Sequence, residues 1–457
     1  MSTHLALHGS IIHSLSSEET EVLHDALIIV GPNGEINDLC RDVPPNKVPQ
    51  VLTAQGLDVQ STQLRYLARG EFLIPGFVDT HNHAPQWGQR GLGRGMHILD
   101  WLEAVTFKNE ARLRDAEYAR KLYNSCVDGF IKQGVTTACY YGSLHEEATK
   151  ILADICLAKG QRAFVGKCCM NRNGATFYQD ASAKESLRET ENLISHIRSI
   201  DPSGDLVAPI LTPRFAICCD DELLSGLGQI ATREPGIAIQ AHFNEAEQEI
   251  ASTLSLFPQF TNEVDLYDHY NLLTRRSILA HCTHMHDYEI DKLKELDCGV
   301  AHCPISNTTV GGGFMAAPIR SFLQRDIKVG LGTDSGGGFS SSILDAMRQA
   351  FIVSNARELM TNGQDKNLSA SECFYLATLG GARVCCLEEK IGNFKKGKKF
   401  DALLINTVDE MFAGSMTIVE DEDPLETIFE KFLMTGDDRS IANVWIQGRM
   451  VKGDHHV

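Results

Sequence analysis

Two histidines stand at i and i+2 in Asp79-Thr80-His81-Asn82-His83, at the end of an apolar run that begins at Phe72. Side chains two apart on a strand point to the same side, so both imidazoles are available to one metal ion. The pair alone is a weak signal, since two polar residues at a strand end read the same way. His242, His281 and Asp334 strengthen it, because each closes a further apolar run. Several imidazoles with one carboxylate make a ligand set suited to Zn²⁺ or Fe²⁺. We take His81, His83, His242, His281 and Asp334 as candidate metal ligands. Glu245 follows His242 by three residues. It is the candidate acid and base, since a carboxylate beside a metal site can take a proton from water and later deliver it to a substrate. A bound metal lowers the pKa of water towards ~7, which makes hydroxide available at neutral pH.

Other signals carry less. His145-Glu146-Glu147 satisfies H-x-E, but no P-C-x-x-C follows, so the zinc architecture of cytidine and adenosine base deaminases is not supported. Gly91-Leu92-Gly93-Arg94-Gly95 lacks the spacing of a dinucleotide fingerprint. His284, His286, His455 and His456 read as surface histidines. The fourteen cysteines include no C-x-x-C and lie singly or as adjacent pairs within apolar runs, so they read as reduced core thiols.

Positioning five ligands from distant parts of a chain requires strands whose ends converge. Eight apolar runs, at 72–83, 135–142, 162–169, 207–215, 238–245, 277–282, 299–304 and 327–334, alternate with helix-compatible stretches such as 115–132, 146–159, 186–200 and 341–361. Runs that are apolar for most of their length and polar at the C-terminal end suit a closed parallel barrel, which gathers its chemistry at that end. The fold class is therefore α/β, a (β/α)₈ TIM-like barrel spanning 72–394. Residues 5–12, 26–30 and 35–39, punctuated by Gly31-Pro32-Asn33-Gly34, read as short strands, as do 402–405 and 443–446. Segments 1–71 and 395–457 are expected to build one small β-sandwich domain around the inserted barrel. The acidic stretch Glu420–Asp423 reads as a solvated loop.

Composition narrows the partners. The chain has 457 residues, and 60 acidic against 42 basic side chains leave a formal charge of −18. That balance repels phosphate backbones and anionic membranes, which disfavours nucleic acid or a lipid surface as a partner. No run approaches the ~20 apolar residues that span a bilayer. The opening MSTHLALHGSIIHS lacks the basic and apolar regions of a signal peptide, so the expected compartment is the cytosol.

Asp79-Thr80-His81-Asn82-His83, His242-Phe243-Asn244-Glu245, Ala280-His281 and Gly332-Thr333-Asp334 together resemble the amidohydrolase superfamily. Thr136–Tyr140, Gly160–Lys167, Thr212-Pro213-Arg214-Phe215, Ala301-His302-Cys303-Pro304, Lys431-Phe432-Leu433 and Gly436-Asp437-Asp438-Arg439 are similar, more narrowly, to its guanine-deaminating branch. The resemblance runs from about Phe72 to Arg449. It implies a barrel flanked by a β-sandwich, one zinc ion per subunit, a homodimer, and hydrolysis of guanine to xanthine and ammonia in purine catabolism. It places the ligands on His81, His83, His242, His281 and Asp334, the acid/base on Glu245, and substrate contacts on Gln86, Arg214 and Phe215, with His83, His242 and Asp334 bordering the substrate. Two-metal relatives carry a lysine at the end of the fourth strand, where this chain has Thr212-Pro213-Arg214-Phe215; Lys167 on the third run is read as structural. Trp87-Gly88-Gln89-Arg90, Gly311-Gly312-Gly313 and Gly336-Gly337-Gly338 depart from the branch's pattern.

The residues support that substrate. Guanine presents O6 and N7 as adjacent acceptors, a pattern that a guanidinium fork matches with two donors, and Arg214 stands at a strand end to supply it. Gln86 has a donor and an acceptor for the remaining ring edge, and Phe215 or Trp101 can stack on the purine face. Glu245 and Asp334 would take the water's proton, Glu245 would protonate N3 as ammonia leaves C2, and His281 would orient the water. A related hydrolase of cytosine, a pterin or a triazine is the alternative, followed by an interaction protein without catalysis.

Overall fold

The computed structural model describes residues 3–311, 315–407 and 417–453. Five strands open the chain: β1 (Leu5–Ser14), β2 (Thr20–Val30), β3 (Ile36–Cys40), β4 (Gln63–Tyr66) and β5 (Glu71–Pro75). Eight parallel strands follow: β6 (Phe77–His83), β7 (Val135–Tyr141), β8 (Arg162–Gly166), β9 (Val207–Leu211), β10 (Ala238–Phe243), β11 (Ser277–His281), β12 (Gly299–His302) and β13 (Lys328–Leu331). Strands β14 (Ala402–Asn406), β15 (Ile441–Ile446) and β16 (Arg449–Lys452) close it.

Strands β6 to β13 pair in chain order. The seam between β13 and β6 is closed by single bonds: Thr80 Oγ1 donates to the Leu331 carbonyl at 2.8 Å, and the Asp334 amide to the His81 carbonyl at 2.9 Å. The expected α/β barrel is thus the observed fold. Its crossover helices start where the chain supplies caps. Asp115 caps Ala116–Lys132 and Ser182 caps Ala183–Ile200, their side chains accepting free amides of the first turn. The helices press apolar faces onto the strands, and the main core lies between those two layers.

The terminal strands form a second sheet in the order β16-β15-β14-β5-β1-β2-β3, with β4 paired to β1. Antiparallel pairing of β5 with β14 joins the two ends of the chain. The sandwich expected from sequence takes the form of this single sheet. Leu7, Ile28 and Ile36 from one end share an apolar cluster with Ala402, Leu404 and Trp445 from the other. The opposite face, with Ala6, Leu27 and Ile29, is covered by helix Val48–Ala54, which the sequence reading did not anticipate.

Several expected strands end early or are split. The 72–83 run is split at Gly76, whose α-carbon lies so close to Thr136 that a side chain there would collide with it. Its first half joins the terminal sheet and its second the barrel. The run 238–245 stops at Phe243 because Asn244 takes a left-handed φ of 45°, and 327–334 stops at Leu331, with Asp334 at 42°. These turns fold the chain over the barrel mouth. The fourteen cysteines are free, twelve of them buried. Glu420–Asp423 lies in a largely exposed loop, as expected.

Candidate active site

His83 is the last residue of β6 and His281 the last of β11, while His242 is the penultimate residue of β10. His83 Nε2 lies 3.2 Å from His242 Nε2 and 3.3 Å from Asp334 Oδ1, and His81 Nε2 lies 3.4 Å from the same oxygen. Ligand atoms of His81, His242 and His281 fall within 4.8 Å of one another, as do those of His81, His83 and Asp334. All five side chains are buried.

The cluster is held for coordination through Nε2. His242 Nδ1 meets the Arg214 carbonyl at 2.5 Å, and His281 Nδ1 meets Asn307 Oδ1 at 2.8 Å. Using the outer nitrogen in this way turns the other towards the centre and fixes the tautomer. The inner nitrogens of His81 and His281 are buried without a hydrogen bond among the described residues. An orphaned imidazole nitrogen in a dry site is costly unless a cation takes its lone pair, so the residues fit a metal. Burial lowers the pKa of His81, His83 and His242, which favours the neutral form that can ligate. Burial opposes ionisation of Asp334, but the surrounding His81, His83 and His281 outweigh it and hold the carboxyl below the usual range.

Asp79 anchors the first histidine pair. Its carboxylate accepts from the Thr333 amide at 3.0 Å, the Thr333 hydroxyl at 2.6 Å and the His81 amide at 3.3 Å, tying β6 to the Asp334 turn. The glycines after Asp334 serve the same turn. Gly337 lies against the Asp334 carboxylate and Gly336 against the Gln86 side chain, where a Cβ would collide. Arg94 donates to the carbonyls of both glycines, which joins the loop after β6 to the loop after β13. Gly312 and Gly313 lie outside the described residues, as do His455 and His456.

Glu245 Oε2 is 3.6 Å from His281 Nε2. Burial pushes its pKa up to about 7, with His281 opposing. Its backbone amide donates to Glu249 Oε2 at 3.3 Å, and the preceding amide, of Asn244, donates to Glu263 Oε2 at 2.8 Å. Two buried carboxyl groups therefore hold the strand end that carries Glu245. His281, at φ 76°, is a second strained residue beside Asn244.

Arg214 and Phe215 follow β9 on a loop rather than ending the strand. Phe215 stands edge-on to His242, with ring centroids 5.4 Å apart, and also lines a groove of about 500 Å³ with Leu102, Phe107, Ile217 and Leu256. Trp101 belongs to the same apolar cap, its indole donating to the Leu92 carbonyl. The Arg214 fork grips Glu110, with Nη1 to Oε2 at 2.8 Å and Nη2 to Oε1 at 3.2 Å. Gln86 Nε2 donates to the same Oε1 at 2.8 Å. Arg214 and Glu110 are each 1% exposed. The sequence reading missed Glu110, which follows Lys108 and Asn109 in a short polar helical turn and carries no local mark of its role. Lys167 stands apart from the cluster, with Nζ 2.8 Å from Asp180, as a structural ion pair. His284 and His286 lie outside the cluster.

Residues 72–451 match the amidohydrolase family. The chain belongs to the amidohydrolase family. This amidohydrolase is 38% identical over 449 residues to the guanine deaminase of Dictyostelium discoideum, covering 97% of each chain. It is 38% identical over 452 residues to that of Mus musculus, covering 98% of this chain and 96% of the relative. Among solved structures, a guanine deaminase from C. acetobutylicum with guanine bound in its active site superposes with a TM-score of 0.87. The two are 29% identical, with 98% of this chain and 99% of that chain covered.

Proposed function

We propose that this amidohydrolase is a guanine deaminase that converts guanine and water to xanthine and ammonia. The observation that carries the reading is the meeting, in one buried site, of an imidazole and carboxylate ligand set, the Glu245 carboxyl, and a guanidinium fork with a neighbouring amide. The relatives named guanine deaminases, similar over nearly the whole chain, support the same reading.

His81, His83, His242, His281 and Asp334 would hold one zinc ion. The absence of a lysine after β9 and the engagement of Lys167 with Asp180 support a single ion. Bound there, zinc supplies a lowered water pKa and Lewis acidity. Glu245 takes one proton of the attacking water and delivers it to N3 as C2 becomes tetrahedral; the hydroxyl on C2 then gives up its remaining proton to the amino group, the C2–N bond breaks, and ammonia leaves as the C2 carbonyl forms. Asp334 shares the water's proton, and His281 orients the water and stabilises developing charge. Arg214 and Gln86 bind the oxygen-bearing ring edge, and Phe215 and Trp101 close the apolar sides. His83 and His242 border the base. The same reading places a homodimer in the cytosol, within purine catabolism, on the strength of the family resemblance. Turnover of guanine, cytosine, a pterin and a triazine, compared side by side, tests the reading. Guanine is expected to exceed the others in kcat/KM, and a preference for any of the other three overturns it.

A further inference from the structure

Glu110 lies on the short helix Phe107–Ala111, in the segment that leaves β6 and covers the barrel mouth. Its carboxylate accepts two bonds from Arg214 and one from Gln86. A carboxylate accepts and does not donate, so it constrains both partners. Gln86 must turn its NH₂ towards Glu110, which commits its oxygen elsewhere. That oxygen has one weak donor, Gln89 Nε2 at 3.4 Å, while Gln89 Nε2 also reaches Thr106 Oγ1 at 3.0 Å. Gln86 is thereby set to offer an acceptor to an incoming base. Arg214, held as a fork, keeps Nε and the second hydrogen of Nη2, while Nη1 also reaches Cys168 Sγ and Met170 Sδ at 3.9 Å. Nε has no hydrogen-bond partner among the described residues. The pair is also neutral overall, which suits an uncharged base.

We infer that Glu110 is the positioning residue that makes this site select a ring carrying an N–H beside a carbonyl, by fixing the amide of Gln86 and the fork of Arg214 together. This rests on the guanine deaminase reading and names what sets its specificity. A carbonyl meets the arginine donors, and the adjacent N1–H meets the glutamine oxygen. A purine with the same 2-amino group but no 6-oxygen, 2-aminopurine, has an unprotonated N1 and would leave both groups unpaired. Sites built around such hydrogen bonds reject an analogue that lacks them.

The test compares guanine with 2-aminopurine in the full-length, zinc-loaded enzyme, with 2-aminopurine fluorescence giving its binding constant directly. Glu110→Gln allows Gln86 to flip and releases Arg214. It is expected to raise the guanine KM roughly tenfold with kcat within about threefold, and to lower discrimination against 2-aminopurine by a similar factor. Glu110→Asp keeps the charge and shortens the reach by one carbon. It is expected to fold like the parent and show a smaller change in the same direction, and it decides the matter if Glu110→Gln does not fold. Adding Gln86→Ala should remove much of the Glu110 effect, since the two act as a unit. Unchanged discrimination in the folded variants, or a loss of stability alone, overturns the inference. Absence of guanine turnover in the parent enzyme overturns the underlying activity instead.

Discussion

Gly337 packs its α-carbon directly on the carboxylate of Asp334, three residues earlier in the chain. The turn between them closes through the Gly338 amide, which donates to the Asp334 carbonyl at 2.6 Å. Gly337→Ala forces a methyl group into the carboxylate and swings it away from His81 and His83. Metal affinity is expected to fall by ~10- to 100-fold, the range for disturbing groups that orient a ligand. Metal content after dialysis against graded chelator checks this, and parental retention of metal would count against the packing argument.

Glu245 touches His281 but is not among the ligand groups that converge within 4.8 Å. Glu245→Gln is therefore expected to keep stoichiometric metal while kcat drops by ~10²- to 10⁴-fold, the usual scale for a general acid or base. Metal analysis and steady-state kinetics on one preparation separate the two quantities. A variant with near-parental kcat would remove Glu245 from the proton transfers.

Glu249 and Glu263 accept from the amides of Glu245 and Asn244, on either side of Asn244, and both are buried. Burial pushes Glu249 up to about 7 and, with the neighbouring carboxyl, raises Glu263 well above the ordinary range. Groups whose pKa rises on folding stabilise the protein fully below their unfolded pKa, and that contribution is lost as pH rises through the folded value. Melting temperature is thus expected to fall between pH 5 and pH 8 by roughly a few degrees. Glu263→Gln, which cannot ionise, should flatten the slope. A parental protein whose melting temperature rises steadily across that interval contradicts the burial of these two carboxyl groups in protonated form.

The convergence of four histidines and Asp334 was legible because each lies at the end of an apolar run, and strand ends are where a parallel barrel gathers side chains. Arg214 was legible as a candidate site residue, but its partner Glu110 was not. Glu110 lies 104 residues away, and nothing local announces that the two will meet. Glu249 and Glu263 were hidden in the same way, since carboxyl groups on two helices reach the Glu245 and Asn244 amides only after folding brings them to the strand end. The break at Gly76 escaped because the run is apolar on both sides, and the close approach of Thr136 that admits only glycine there belongs to another strand. Strand β16 pairs only at the sheet edge, and its half-exposed Arg449–Lys452 carries little apolar alternation. What sequence shows well is periodicity and position along the chain; what it conceals is pairing across the fold.

The central claim is that a metal held by this cluster supports deamination of guanine. Ammonia release and xanthine absorbance, followed in parallel with guanine as substrate, test it on metal-loaded protein, on protein stripped by a chelator, and after zinc is restored. Equal amounts of ammonia and xanthine are expected from the loaded protein, with activity lost on stripping and recovered with about one zinc per chain. Loaded protein that releases neither product, or stripped protein that turns over guanine at the full rate, would contradict the account.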